Sequence, residues 1–223
     1  MKLGVLFSGG KDSCYAAWLA KEMGYEIACL ITIISENKES FMFHTPSVEM
    51  TAVQAGVMNI PLVTVKTPGH KESELRDLES AVKEAKTLYG IEGIVTGAVG
   101  SVYQAARVQA ICNKLCLECF NPLWQKDQFE LLNELVVKNG FEAIVTGVFA
   151  YPLTNTWLGR KIDERFIGDV RLLHGKYNIN PAGEGGEFES FVLNCPLFNR
   201  PLELAERKVF GSGNSFRMEV VVK

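Results

Sequence analysis

The 223-residue sequence has three histidines, no apolar run approaching the length of a membrane span, and no excess of positive charge. Each shortage excludes something. A spanning helix needs about 20 consecutive apolar residues, so no membrane partner is expected. Lysine and arginine number 23 against 26 aspartates and glutamates, a net charge of −3 at pH 7. Proteins that grip nucleic acid by its phosphates usually show a basic surplus or a basic block. Neither is present, which disfavours a nucleic-acid substrate. A secretion signal is also missing, because MKLGV passes straight into a strand and a glycine turn. The expectation is a cytoplasmic protein.

The six cysteines (Cys14, Cys29, Cys112, Cys116, Cys119 and Cys195) lack the spacing of a secreted disulfide framework. Cys116-Leu-Glu-Cys119, with Cys112 a turn earlier, invites a metal reading. No second CxxC follows, and His44, His70 and His174 are distant in sequence. Cys112 also falls in the apolar stripe Ala105, Val108, Cys112, Leu115. Small buried thiols are common in cores, and structural cysteines are the reading adopted over a metal site.

What the sequence does contain is apolar residues, 47% of the total, enough for a sizeable core. Its first half alternates strand and helix signals. Leu3–Phe7 is a short apolar strand, followed by Tyr15, Trp18, Leu19 and Met23 on one helical face, with Gly24 as a stop. Ile27–Ile34 is β-branched throughout much of its length, as in a strand covered on both faces. Thr45-Pro46 reads as a helix start, with the helix running to about Met58. Pro61–Thr67 and Ile94–Thr96 read as strands, and Phe120–Trp124 as a possible fifth. Between them lie an amphipathic helix built on Leu75, Leu78, Val82, Ala85 and Tyr89, and another through about Leu115. This alternation predicts an α/β fold, a parallel sheet flanked by helices. Beyond Trp124, Asp127 and Glu130 resemble a capping box. Glu142–Gly147 echoes Glu92–Gly97, and Phe188–Asn194 and Phe216–Val222 read as strands. The expected division is a parallel-sheet unit over 1–125 and a smaller α+β unit over 126–223.

The densest chemical signal is Ser8-Gly9-Gly10-Lys11-Asp12-Ser13, between the first strand and the first helix. A Walker loop would need glycine where Val5 stands and Ser or Thr where Asp12 stands. The dinucleotide fingerprint G-x-G-x-x-G is absent. What remains is a turn whose glycines let backbone N–H groups converge on an anion, with two hydroxyls and a helix N-terminus aimed at the same spot. A carboxylate beside polyphosphate repels it unless a cation lies between, so Asp12 points to Mg²⁺.

Three more stretches carry candidate groups. Gly97-Ala-Val-Gly-Ser101-Val-Tyr103-Gln104-Ala-Ala-Arg107 follows the fourth strand, at the edge where open α/β sheets bind ligands. Gly97 would admit a close approach, and Ser101, Tyr103, Gln104 and Arg107 would supply polar groups. Glu184-Gly185-Gly186-Glu187-Phe-Glu189-Ser190 sets three carboxylates around a Gly-Gly turn, an expensive arrangement to bury. It offers carboxylates to a cation, an amine or a proton in transit. His44, in Phe41-Met-Phe-His44-Thr45, is a candidate proton carrier.

SGGKDS after an N-terminal strand resembles the PP-loop of the N-type ATP pyrophosphatases, which cleave ATP between the α- and β-phosphates and pass AMP to an acceptor. Together with GAVGSVYQAARV, Pro122-Leu-Trp124 and GEGGEFES, it resembles the diphthine–ammonia ligase family, over most of the chain. The resemblance implies a Rossmann-like nucleotide domain. It implies ATP-dependent amidation of diphthine on translation elongation factor two, with free ammonium as nitrogen source and Mg²⁺ as cofactor. Ser8–Ser13 and Gly97 would bind ATP and pyrophosphate, with Lys11, Asp12, Glu184 and Glu187 catalytic and Asp12 the metal ligand. His44, Ser101, Tyr103, Gln104, Arg107, Gly185, Gly186 and Glu189 would bind substrate. The alternatives are a tRNA-modifying PP-loop enzyme of the thiolation type and a nucleotide-binding sensor without chemistry. Nothing in the sequence decides between monomer and homo-oligomer.

Overall fold

A computed structural model of the protein describes residues 1–36, 47–69 and 71–223; the expected Thr45-Pro46 helix start lies outside them. The first half folds as β1 (Lys2–Leu6), α1 (Lys11–Glu22), β2 (Glu26–Ser35), α2 (Thr51–Met58), β3 (Leu62–Thr67), α3 (Lys71–Tyr89), β4 (Gly93–Val95), α4 (Val102–Lys114) and β5 (Glu118–Phe120). The strands form one sheet in the order β3-β2-β1-β4-β5, every pair parallel. Leu3, Val5 and Leu30 pack with Ala16 and Ala20 of α1 and Ala55 of α2. Ile31 and Ile94 pack on the other face with Leu78 and Val82 of α3 and Val108 of α4. Two covered faces explain why these strands read as continuous apolar runs rather than alternations. The strand order reverses between β1 and β4, and in such sheets the crevice outside the strand ends at that reversal binds ligands.

The second half contributes α5 (Gln128–Asn133), β6 (Glu142–Val148), α6 (Glu164–Tyr177), β7 (Phe188–Asn194), β8 (Leu204–Ser212) and β9 (Ser215–Val222). Its four strands form a separate antiparallel sheet, order β7-β6-β9-β8. The Asp127 side chain caps α5 by accepting from the N–H groups of Phe129 and Glu130. A wider π-type stretch over 134–138 then leads to Gly140. One apolar core runs through both halves: Tyr15 and Ala17 of α1 share it with Leu131, Phe141, Val145 and Val192. The first helix is therefore packed from both sides. Among the described residues, no helix is long and apolar enough to cross a membrane.

Several local expectations shift. Met23 is 62% exposed, because α1 buries its small residues Ala16, Ala17 and Ala20 instead of continuing the Tyr15–Trp18–Leu19 stripe. Phe120–Trp124 is not a strand: β5 ends at Phe120, and the next residues turn, with Gln125 N–H donating to the Val99 carbonyl. The two Ile-Val-Thr-Gly segments have different surroundings, since β4 lies in the parallel sheet and β6 in the antiparallel one. Helix α6 and strand β8 were not anticipated from the sequence.

Gln54 of α2 ties the halves together. It is fully buried, and its Nε2 donates to the carbonyls of Gly9 (3.0 Å) and Val192 (2.8 Å). Gly9 sits at φ +77°, where a Cβ would run into Gln54 Oε1. Gln54→Met keeps the volume but leaves the Val192 carbonyl without this donor. The expected cost is about 1–3 kcal/mol of folding stability, read as a lower midpoint in urea with an unchanged slope.

Candidate active site

In the loop between β1 and α1, the Ser8 N–H donates to Ser13 Oγ (3.3 Å) and the Gly10 N–H to Ser8 Oγ (3.4 Å). The Ser8 and Ser13 hydroxyls lie 3.2 Å apart, and Ser13 Oγ donates to the Gly10 carbonyl at 3.1 Å. Ser190 of β7 accepts from the Lys11 N–H through its Oγ (3.1 Å), and Val192 N–H donates to the Gly9 carbonyl (3.0 Å). The second sheet thus closes the back of the loop. Lys11 is only 3% exposed, with its Nζ donating to Asp12 Oδ2 (2.7 Å) and the Ala182 carbonyl (2.6 Å), 5.5 Å above the Phe188 ring. Asp12 Oδ1 is buried without a hydrogen-bond partner among the described residues.

Gly97 lies over the start of α1. A Cβ there would stand 2.8 Å from Asp12 C and Ser13 N, so the glycine permits contact between two backbones, the loop's and its own. Ser101 caps α4 by accepting from Gln104 N–H (3.3 Å). Tyr103 and Arg107 pair with each other: the guanidinium sits 3.3 Å over the ring, and Nη1 donates to the Tyr103 carbonyl.

The three carboxylates of the Gly-Gly turn have three different environments. Glu184 Oε1 accepts from the N–H groups of Gly100 (2.8 Å), Ser101 (2.9 Å) and Val99 (3.3 Å), so it occupies the N-terminus of α4. Glu187 turns back on its own loop, with Oε1 accepting from Asn180 N–H at 2.8 Å. Glu189 pairs across the sheet with Gly147, and its Oε2 is buried without a partner among the described residues, as is Glu187 Oε2. Burial pushes the Glu189 carboxyl up to about 8, against a smaller downward pull from Arg217.

These parts surround one cavity of about 400 Å³, within the ~300–1,000 Å³ of small-molecule sites. One wall is apolar: Leu6, Ile31, Ile33, Leu78 and Val108. The polar walls bring together Ser8, Gly10, Lys11, Asp12 and Ser13 with Gly97, Ser101 and Gln104, and across from them Glu184, Gly185, Gly186 and Glu189. Tyr103, Arg107 and Glu187 do not contribute to its surface among the described residues, and His44 lies outside them. Such a site can hold a polyanion on one side and a neutral or cationic group on the other. A cation would find a ligand in the free Asp12 Oδ1, which answers the repulsion that a phosphate beside this carboxylate would otherwise meet.

Gln54, Ser190 and the Ala182 carbonyl were not foreseen as parts of the site. Ser190 was visible only as the last residue of an acidic motif; a glutamine inside a helix and a main-chain oxygen carry no signal. The cysteines lie elsewhere. Cys112 is buried and hydrogen-bonded to Cys119, which holds Cys119 below the usual thiol range and pushes Cys112 up, while Cys116 is exposed. Among the described residues, no group of three His, Cys, Asp or Glu is arranged to hold a metal.

Residues 1–119 match the family model for the diphthamide synthase N-terminal domain, and residues 127–218 that for the diphthamide synthase C-terminal domain. A diphthine–ammonia ligase of Schizosaccharomyces pombe is 34% identical over 94% of this chain, which spans only 37% of that relative's length. The diphthine–ammonia ligase of Bos taurus is 33% identical, with 91% of this chain and 82% of the relative covered. A solved structure described as a predicted subunit of tRNA methyltransferase, from Methanocaldococcus jannaschii, is 16% identical with a TM-score of 0.43 over 88% of this chain and 98% of its own.

The Glu189 environment has a measurable consequence. Its carboxyl titrates near 8 when folded and near the ordinary 4.5 when unfolded. Between those values the folded state keeps a proton that the unfolded state has released, so stability falls as pH rises through the window. Glu189→Gln removes that dependence. In thermal unfolding, the midpoint of the variant should gain on the wild type steadily from about pH 5 to about pH 8; a constant difference would mean that Glu189 is ionised in the folded protein.

Proposed function

Because the chain belongs to the diphthamide synthase family, we propose that it is an ATP-dependent ligase that amidates the diphthine carboxylate of translation elongation factor two with ammonium, releasing AMP and pyrophosphate. The observation that carries this reading is the single cavity in which a phosphate-type loop faces an acidic, glycine-rich turn. Residues 1–125 hold the nucleotide and 126–223 receive the acceptor.

A carboxylate is a poor electrophile, and its conversion to an acyl adenylate makes the carbon open to attack. The Ser8–Ser13 loop, at the N-terminus of α1, holds the departing pyrophosphate and, with the Lys11 charge, stabilises the negative charge that develops there. The purine lies against the apolar wall of Ile31, Ile33 and Val108. Asp12, through its free Oδ1, fits a Mg²⁺ ion, which when bound supplies charge neutralisation at the phosphate oxygens. Glu184 and Glu187 act on the acceptor side by fixing the turn: one is anchored to α4 and the other to its own backbone, leaving Gly185 and Gly186 open for a protein side chain. Ser101 and Gln104 contribute polar contacts at the cavity wall.

Incubation with ATP, Mg²⁺, ammonium and diphthine-bearing elongation factor two should give AMP, pyrophosphate and the amide, each dependent on all components. Asp12→Ala should lower the rate by about 100-fold or more. Undiminished turnover in that variant, or AMP formed only when tRNA is supplied, would overturn the proposal.

A further inference from the structure

We infer that Glu189 is the proton acceptor for the nitrogen donor: ammonium docks against its carboxylate and leaves a proton there before attacking the acyl carbon. The inference rests on the amidation proposed above and gives a role to a carboxyl that nothing else in the fold employs.

Glu184 accepts from three N–H groups and Glu187 from one, both through Oε1; the second Glu187 oxygen is buried without a partner among the described residues, but Glu187 does not line the cavity. Glu189 does line it, and its Oε2 is likewise buried with no hydrogen-bond partner among the described residues. An orphaned buried carboxyl oxygen is costly and calls for an explanation in terms of function or an absent ligand. The neighbouring charge does not quench it. Arg217 lies across the sheet in register with the same Gly147, but its guanidinium stacks on Phe149 at 5.3 Å, and its own Nε has no partner among the described residues. Position favours the assignment too. The next residue, Ser190, holds the Lys11 N–H, so Glu189 is one residue from the loop that would carry the phosphates.

Ammonium has no lone pair and cannot attack carbon until it loses a proton. Burial pushes the Glu189 carboxyl up to about 8, so the fraction ionised near neutral pH, which is the form that takes this proton, is a stronger base than an ordinary carboxylate. In the step proposed, an N–H bond of ammonium breaks and the proton goes to Glu189. The freed lone pair forms the C–N bond, and the bond from the acyl carbon to the adenylate oxygen breaks, with its electron pair leaving on AMP. The second excess proton on nitrogen passes to water.

Hydroxylamine tests this, because it is already uncharged at neutral pH and needs no prior deprotonation. With ATP, Mg²⁺ and diphthine-bearing elongation factor two, the wild type should form amide with ammonium and hydroxamate with hydroxylamine. Glu189→Gln should lose about 100-fold or more in the ammonium reaction while hydroxamate formation stays within about two-fold. Equal ammonium rates in variant and wild type would overturn the inference, as would parallel loss with both nucleophiles. If the wild type acylates neither nucleophile, the amidation proposal falls and the inference with it. Should Glu189→Gln fail to fold, Glu189→Asp draws the carboxyl back by one methylene. The same selective loss with ammonium would support the assignment, and an unselective loss would overturn it.

Discussion

The carbonyl of Gly9 accepts two hydrogen bonds, one from the Gln54 side chain and one from the Val192 N–H, and the site is built around that convergence. A buried carbonyl must find donors. Here one donor comes from α2 and another from β7. The antiparallel sheet is thus part of what allows the loop its shape. It follows that α1, which leaves the loop, is packed between the two sheets in one continuous core.

Around this frame, five ionisable side chains resolve the cost of partial burial in different ways. Lys11 pairs with Asp12 and a main-chain carbonyl. Glu184 takes the N–H groups at a helix start, and Glu187 takes one from its own loop. Burial pushes the Glu189 carboxyl up to about 8, so it gains and loses its proton close to neutral pH. The cavity is therefore not a uniformly acidic or basic cleft, and the overall net charge of −3 says little about it.

The parallel sheet was legible because its strands are buried on both faces and its helices end at glycines such as Gly24 and Gly90. The turn at Ser8–Ser13 was legible because its two glycines interrupt the apolar pattern between the first strand and the first helix. Strand β8 was not: it is exposed along its whole length, and Leu204-Ala-Glu-Arg-Lys-Val carries no apolar alternation. Helix α6 has an Asp163 cap and buries Phe166, Ile167 and Val170, a pattern present in the sequence but easily passed over amid its charged neighbours. Within the site, residue types were readable but their partners were not. Arg107 stacks on Tyr103 one turn earlier in α4, and Gly97 faces the backbone of Asp12 because the segment between β4 and α4 passes over the start of α1.

The Glu184 carboxylate at the start of α4 makes the chain a ligand for itself. Three N–H groups suited to an anion are filled by a side chain from the opposite half. Any anion that takes those N–H groups must compete with Glu184, so its apparent affinity is set by the grip of the resident carboxylate as well as by its own contacts. Reciprocity then holds between the two: whatever draws the Gly185–Gly186 turn outward strengthens anion binding at α4, and whatever anion settles there loosens the turn by the same free energy.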